Sequence, residues 1–167
     1  LGMPLVLRQP NFDDPQTTHL FFDPGDGRIL TFFVRNDRES NPDPLGPEIG
    51  SVHHLAFNIP PDRYASVRNR LHDADHSFTE FDRGIARSIY TRDHNGLTLE
   101  LTSDKYDIPP GELGKVLATA HRVRFRDDAE YVKEEHLESA LSSLGINSER
   151  YDFSDLPNAP TGTAIQD

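Results

Sequence analysis

Through most of the first hundred residues, apolar and polar positions alternate in short runs separated by Pro, Gly, Asn and Asp. In "SVHHLAFNI" (51–59) one set of alternate positions holds His53, Leu55, Phe57 and Ile59, and the other holds His54, Ala56 and Asn58. Period two predicts a strand with one apolar face and one small, polar face suited to lining a cavity. Pro60 and Pro61 then open a helix, where a missing N–H costs little. Within "DRYASVRNRLHDA" the residues Tyr64, Val67 and Leu71 fall on one helical face. "HSFTEFD", "ARSIYTR" and "LTLELT" read as short strands, with "DHNG" as the turn between the last two. In that final strand Leu97, Leu99 and Leu101 share the core face, and Thr98, Glu100 and Thr102 face the other way.

The same pattern occurs in part earlier in the chain. "LFFDPGDGRILTFF" (20–33) lies over "IYTRDHNGLTLELT" (89–102) at a constant offset of 69, which sets Gly27 on Gly96, Leu30 on Leu99 and Thr31 on Glu100. A repeat of strand, polar turn, glycine and strand suggests two related units. "PLVLRQP" (4–10) is expected to be the second strand of the first copy, so the chain is expected to begin partway through that unit. After Thr102 the period becomes helical. "PPGELGKVLATAHRVR" and "DDAEYVKEEHLESALSSLG" predict two helices, the second capped by Asp127 or Asp128 and presenting Tyr131, Leu137 and Leu141. The expected organisation is therefore a domain over 1–103 (a partial first unit at 1–35, a second unit at 51–103), a helical extension over 104–146, and a loose tail over 147–167.

Composition narrows the function classes. The 167 residues suffice for one sizeable core. There is no cysteine, so disulfides and thiolate metal sites are excluded. No apolar run approaches a membrane span, and no signal peptide is visible; a soluble, cytoplasmic protein without a membrane partner is expected. The net charge is −11, with only three lysines (Lys105, Lys115, Lys133) among 17 basic residues. That balance gives no basic patch for nucleic acid. An acidic surface poor in lysine resembles proteins of salt-loving organisms, where concentrated salt screens self-repulsion.

His54 and Glu100 both belong to the polar faces, which makes His54 rather than His53 the candidate metal ligand. A carboxylate between two leucines needs a partner if buried. A metal would provide one, and a 2-His-1-carboxylate Fe(II) site would need one further histidine. The competing reading pairs Glu100 with an arginine and leaves His54 a hydrogen-bonded core residue. Tyr90, ten residues before Glu100, and Arg83, in the preceding turn, are suited to a developing oxyanion and to an anionic substrate oxygen. Packing of the tyrosine ring and a solvated turn arginine are the plainer alternatives. His19 is open between cavity lining and a structural role; His72, His76, His94, His121 and His136 are expected at the surface.

"GSVHHLAFNI" followed by "DRGIARSIYTRDHNGLTLEL" resembles the final unit of the vicinal oxygen chelate superfamily, which includes glyoxalases, bleomycin- and fosfomycin-resistance proteins and extradiol dioxygenases. "LGMPLVLRQPNFDDPQTTHLFFDPGDGRILTFFV" is similar to the first unit of its ring-cleaving hydroquinone dioxygenase branch. The resemblance covers roughly residues 1–103. It implies an α+β fold of paired βαβββ units in an open barrel, with the first unit incomplete. It also implies an oxidoreductase binding Fe(II), or another divalent metal such as Mn, through His54 and Glu100. Tyr90, Arg83 and His53 would act on the substrate side, with a small aromatic substrate, O₂ and a second copy of the chain as partners. The third ligand is expected from the first strand of the first unit. Thr31, at the Glu100 position of that unit, is a poor ligand and disfavours a glyoxalase-type isomerase. A drug-sequestering binding module is the other alternative.

Overall fold

The computed structural model describes residues 2–39, 43, 46 and 48–157. The chain divides into two compact units, Leu1–Asn41 and Pro42–Asp167.

The first unit is an antiparallel sheet of β1 (Leu5–Pro10), β2 (Thr18–Phe22) and β3 (Leu30–Val34), in that order. Phe21 stands opposite Thr31, and His19 opposite Phe33. Gly27, at φ +80°, turns the chain between β2 and β3. This sheet buries little of its apolar surface: Val6, Phe32, Phe33 and Val34 are all exposed.

The second unit begins with β4 (His54–Asn58), α1 (Pro61–Asp73), β5 (Phe78–Asp82), β6 (Ala86–Arg92) and β7 (Thr98–Asp104). Its sheet runs β4-β7-β6-β5, with β4 parallel to β7 and the other pairs antiparallel. This is a βαβββ unit, and neither sheet closes into a barrel. Pro61 is the first residue of α1, as the sequence predicts. Tyr64 and Val67 are buried against Ile59, Ile89 and Leu101, with Phe57, Leu71 and Phe78 packed around them. Alternation thus places one face of the sheet under α1 and leaves His54, Ser88, Tyr90 and Glu100 on the other. The hairpin β6–β7 repeats the β2–β3 register at the offset of 69: Tyr90 opposes Glu100 as Phe21 opposes Thr31.

Two further helices follow, α2 (Leu113–Arg126) and α3 (Glu134–Leu144). Val116 and Ala120 of α2 meet Leu137, Ala140 and Leu141 of α3 in a second apolar cluster that includes Tyr106. The expected cap does not form. Asp127 instead terminates α2, donating its N–H to the carbonyls of Val123 and Phe125, and Asp128 takes a left-handed φ of 52°. Helix α3 starts six residues later, where the imidazole Nδ1 of His136 accepts the Lys133 N–H at 2.9 Å. His136 is therefore buried rather than at the surface, and Tyr131 lies outside the helix and exposed.

Residues 147–157 are not loose. Arg150 forms a β-bridge with Tyr106, Tyr151 donates its N–H to the Lys105 carbonyl, and Phe153 and Leu156 pack on the α1 cluster. The remainder of the expected tail, 158–167, lies outside the described residues. Among the described residues no helix is long and apolar enough to cross a membrane.

Candidate functional site

The polar face of the second sheet is held in place by its register. Glu100 on β7 lies between Ala56 of β4 and Tyr90 of β6. His54 is two residues before Ala56 on the same face, so its imidazole reaches diagonally to the carboxylate: Nε2 is 3.0 Å from Oε2 of Glu100. The other carboxylate oxygen, Oε1, accepts from the Ser88 hydroxyl at 2.7 Å. His53 completes the group on the outside, with its Nδ1 2.7 Å from Nδ1 of His54. A carboxylate is acceptor-only, so with His54 Nε2 donating to Glu100 a neutral His54 must accept at Nδ1. His53 is then the donor in that contact.

Arg83 and Tyr90 stand on the same side. The guanidinium donates from Nη2 to the Tyr90 oxygen at 3.1 Å and lies over the rings of Phe81 and Tyr90 at 5.0 and 5.3 Å. Burial pushes the Tyr90 phenol above its ordinary pKa, and its hydrogen bond to Glu100 pushes the same way, while Arg83 opposes both. Tyr90 is consequently a protonated O–H donor across the neutral range.

The turn that carries Arg83 is braced by the helical extension. Gly84 has φ +77°, and a Cβ there would sit 2.7 Å from the Val132 carbonyl oxygen, so only glycine permits this close approach. Beside it, the buried Lys105 ammonium bridges Asp82 at 2.8 Å and Glu134 at 3.1 Å.

The arginine alternative for Glu100 belongs instead to Glu80, on the opposite face. Arg68 donates to Glu80 at 2.7 Å, Arg87 lies 3.7 Å away and Tyr64 donates at 3.2 Å. The two strand glutamates thus have different neighbours: arginines for Glu80, and His54, Ser88 and Tyr90 for Glu100.

Whether the polar cluster suits a metal is a question of donors and spacing. Neighbouring positions of an octahedral ion with bonds of about 2.1 Å lie about 3.0 Å apart. The observed 3.0 Å between imidazole and carboxylate therefore fits two adjacent positions of one divalent ion. A half-exposed His54 beside a nearly buried Glu100 leaves that edge approachable. Among the described residues no three His, Asp or Glu side chains are placed so that they could hold one metal ion, so the fit extends to two ligands.

The structure brings together His53, His54, Arg83, Tyr90 and Glu100. His19 is in the other unit, its ring against those of Phe21 and Phe33 at 4.1 and 4.3 Å and its Nε2 buried without a hydrogen-bond partner. Ser88 was not singled out by sequence reasoning. Its signal was positional: it precedes Tyr90 by two on the same strand face, diagonal to Glu100.

No family model matches the chain, and the search of curated proteins found no match. Among solved structures, a glyoxylase/bleomycin resistance protein/dioxygenase domain from Frankia sp. EAN1pec superposes with a TM-score of 0.51 at 16% identity, over 62% of this chain and 80% of that one. At that identity the likeness is one of fold. A candidate dioxygenase from Bacillus subtilis subsp. subtilis str. 168 is 30% identical over 62% of this chain, with a TM-score of 0.49. The present chain spans 33% of that protein's length. A variant of the fosfomycin resistance protein of Listeria monocytogenes, complexed with Mn(II), is 17% identical, with a TM-score of 0.44 over 61% of this chain and 73% of that one.

Proposed function

We propose that this chain, whose fold is that of the glyoxalase/bleomycin resistance protein/dioxygenase (vicinal oxygen chelate) superfamily, supplies two Fe(II) ligands and the substrate-side residues of an extradiol-type dioxygenase. The substrate class is a hydroquinone or catechol. The observation that carries this reading is the His54–Glu100 edge, with the Arg83–Tyr90 pair beside it.

Fe(II), when bound, would provide the redox centre at which an aromatic diol and O₂ meet. The remaining roles belong to the protein. His54 Nε2 and Glu100 Oε2 would hold the ion, and His53 would accept the proton that a ligating His54 carries on Nδ1. Tyr90, protonated and hydrogen-bonded to Glu100, would turn its proton to a substrate oxygen that gains negative charge. Arg83 would hold an anionic oxygen of the substrate and keep Tyr90 oriented through the 3.1 Å contact.

A second reading, a small-molecule binding module without chemistry, draws on the two-ligand count among the described residues. A glyoxalase-type isomerase is disfavoured by Thr31 at the Glu100 position of the first unit. The test is oxygen uptake by protein loaded anaerobically with Fe(II), in high salt, against hydroquinones and catechols. Uptake coupled to ring-cleavage absorbance is expected, with Fe(II) affinity reduced on the order of 100-fold or more in Glu100→Ala and unchanged in Thr31→Ala. Ligand binding without bound iron or uptake would establish the binding module instead.

A further inference from the structure

We propose that Ser88 is a positioning residue that commits one oxygen of Glu100 to the protein and leaves the other for the metal; this rests on the metal reading above. Ser88 is fully buried, on the strand next to Glu100. Its hydroxyl lies 2.7 Å from Oε1 of Glu100 and 3.2 Å from Oγ1 of Thr102. A serine has one proton to give. The carboxylate can only accept, so the serine proton goes to Glu100 and the Thr102 hydroxyl donates to Ser88. The result is a directed chain, Thr102 to Ser88 to Glu100, in which each bond polarises the next.

The consequence lies in how the carboxylate divides. Free carboxylates bind divalent ions through one oxygen or both. Here Oε1 is engaged by a short bond from a group that cannot move into solvent, while Oε2 faces His54 at 3.0 Å, and the Tyr90 phenol, which also hydrogen-bonds this carboxylate, is the partner that a substrate oxygen would take over. Ser88 thereby fixes the rotation of the carboxylate and makes Glu100 a one-oxygen ligand. The equivalent place in the β2–β3 hairpin, 69 residues earlier, holds His19, and there the Glu100 position is Thr31. The serine and the carboxylate thus occur together in one hairpin and are both replaced in the other.

Mn(II) is a redox-inert probe whose free form is counted by electron paramagnetic resonance, so binding is read without activity. The full chain should bind Mn(II), Ser88→Ala should bind about 10- to 100-fold more weakly, and Ser88→Thr, which keeps the hydroxyl, should recover most of that loss. A purely structural Ser88 would lower the melting temperature of Ser88→Ala and leave its Mn(II) affinity at the parental value, which would overturn the inference while the metal reading stood. Absence of Mn(II) and Fe(II) binding by the parent would overturn both. If Ser88→Ala does not fold, Thr102→Ala decides: removal of the outer donor should weaken Mn(II) binding several-fold, and an unchanged affinity would count against the chain.

Discussion

Phe21 opposite Thr31 and Tyr90 opposite Glu100 are the same pair of places in two hairpins 69 residues apart. On one face of β6–β7 stand Ser88, Tyr90, Glu100 and Thr102, and on the matching face of β2–β3 stand His19, Phe21, Thr31 and Phe33. That face of the first hairpin has no carboxylate and therefore nothing for a hydroxyl to orient. On the other face both hairpins are apolar, Leu20 matching Ile89, Leu30 matching Leu99 and Phe32 matching Leu101. Yet Leu101 is 3% exposed and Phe32 45%. Alternation decides which face is apolar; what packs on that face decides whether it is buried. In the second unit α1 does the covering, with Tyr64 and Val67.

The largest effect that tests this difference is truncation of the matched pair. Leu101→Ala removes a core side chain and should cost about 2–5 kcal/mol. Phe32→Ala removes a larger but half-exposed ring and should cost about 1 kcal/mol or less. Denaturant unfolding of both variants gives the comparison. An equal cost for Phe32→Ala would mean that the first hairpin's apolar face is covered in solution.

Much of this arrangement was legible in the residues. The alternation in "HHLAFNI" and "LTLEL" separates His54 from His53 and Glu100 from the leucines, and the glycine alignment of Gly27 on Gly96 yields the shared register. These are local signals, written within a strand or a turn. The misread places depend on partners that the pattern of residue types does not reveal. Asp127 and Asp128 have the chemistry of an N-cap, but α2 runs into them and ends there, and the cap of α3 comes from a histidine. The segment 147–157 is polar on average, yet its Tyr151, Phe153 and Leu156 find a strand end and a core that composition does not announce. Ser88 is an ordinary strand serine in the sequence, and only the carboxylate beside it gives it a role.

A smaller effect separates the units at their glycines. Gly27 and Gly84 have nearly the same φ, +80° and +77°. A Cβ on Gly27 would meet nothing within 4 Å, whereas one on Gly84 would meet the Val132 carbonyl at 2.7 Å. Gly27→Ala should therefore cost backbone strain alone, about 1 kcal/mol, and Gly84→Ala about 1–3 kcal/mol, because Val132 must also move. Since Arg83 precedes Gly84, the second variant should also weaken substrate binding more than Gly27→Ala does. Equal melting temperatures for the two would show that the helical extension does not brace that turn.

The smallest effect is a pH dependence confined to one unit. All five tyrosines lie in Pro42–Asp167. Burial, first, pushes the Tyr64 phenol well above its ordinary pKa, with the neighbouring Glu80 charge adding to it. Burial likewise raises Tyr106, whose hydroxyl also donates to Glu138 at 2.7 Å and has the Glu134 carboxylate 3.1 Å away. A phenol raised in the folded state holds its proton more tightly there than in the unfolded chain, which titrates near pH 10. Its stabilisation is complete below that pH and is lost as pH rises toward the folded value. At about pH 10.5 the loss should be somewhat under 1 kcal/mol for each tyrosine. The first unit, with no tyrosine, should not share it; its Asp14 carboxyl, held low first by the Thr17 hydroxyl, acts at the acid end instead, where stability falls with falling pH. Raising the pH through the alkaline range should therefore speed proteolysis within 54–106 more than within 5–34, and Tyr64→Phe and Tyr106→Phe should each flatten the alkaline limb. Simultaneous opening of both units would show that the first hairpin depends on the second for its stability, and an unaltered limb in both variants would remove the phenols from the explanation.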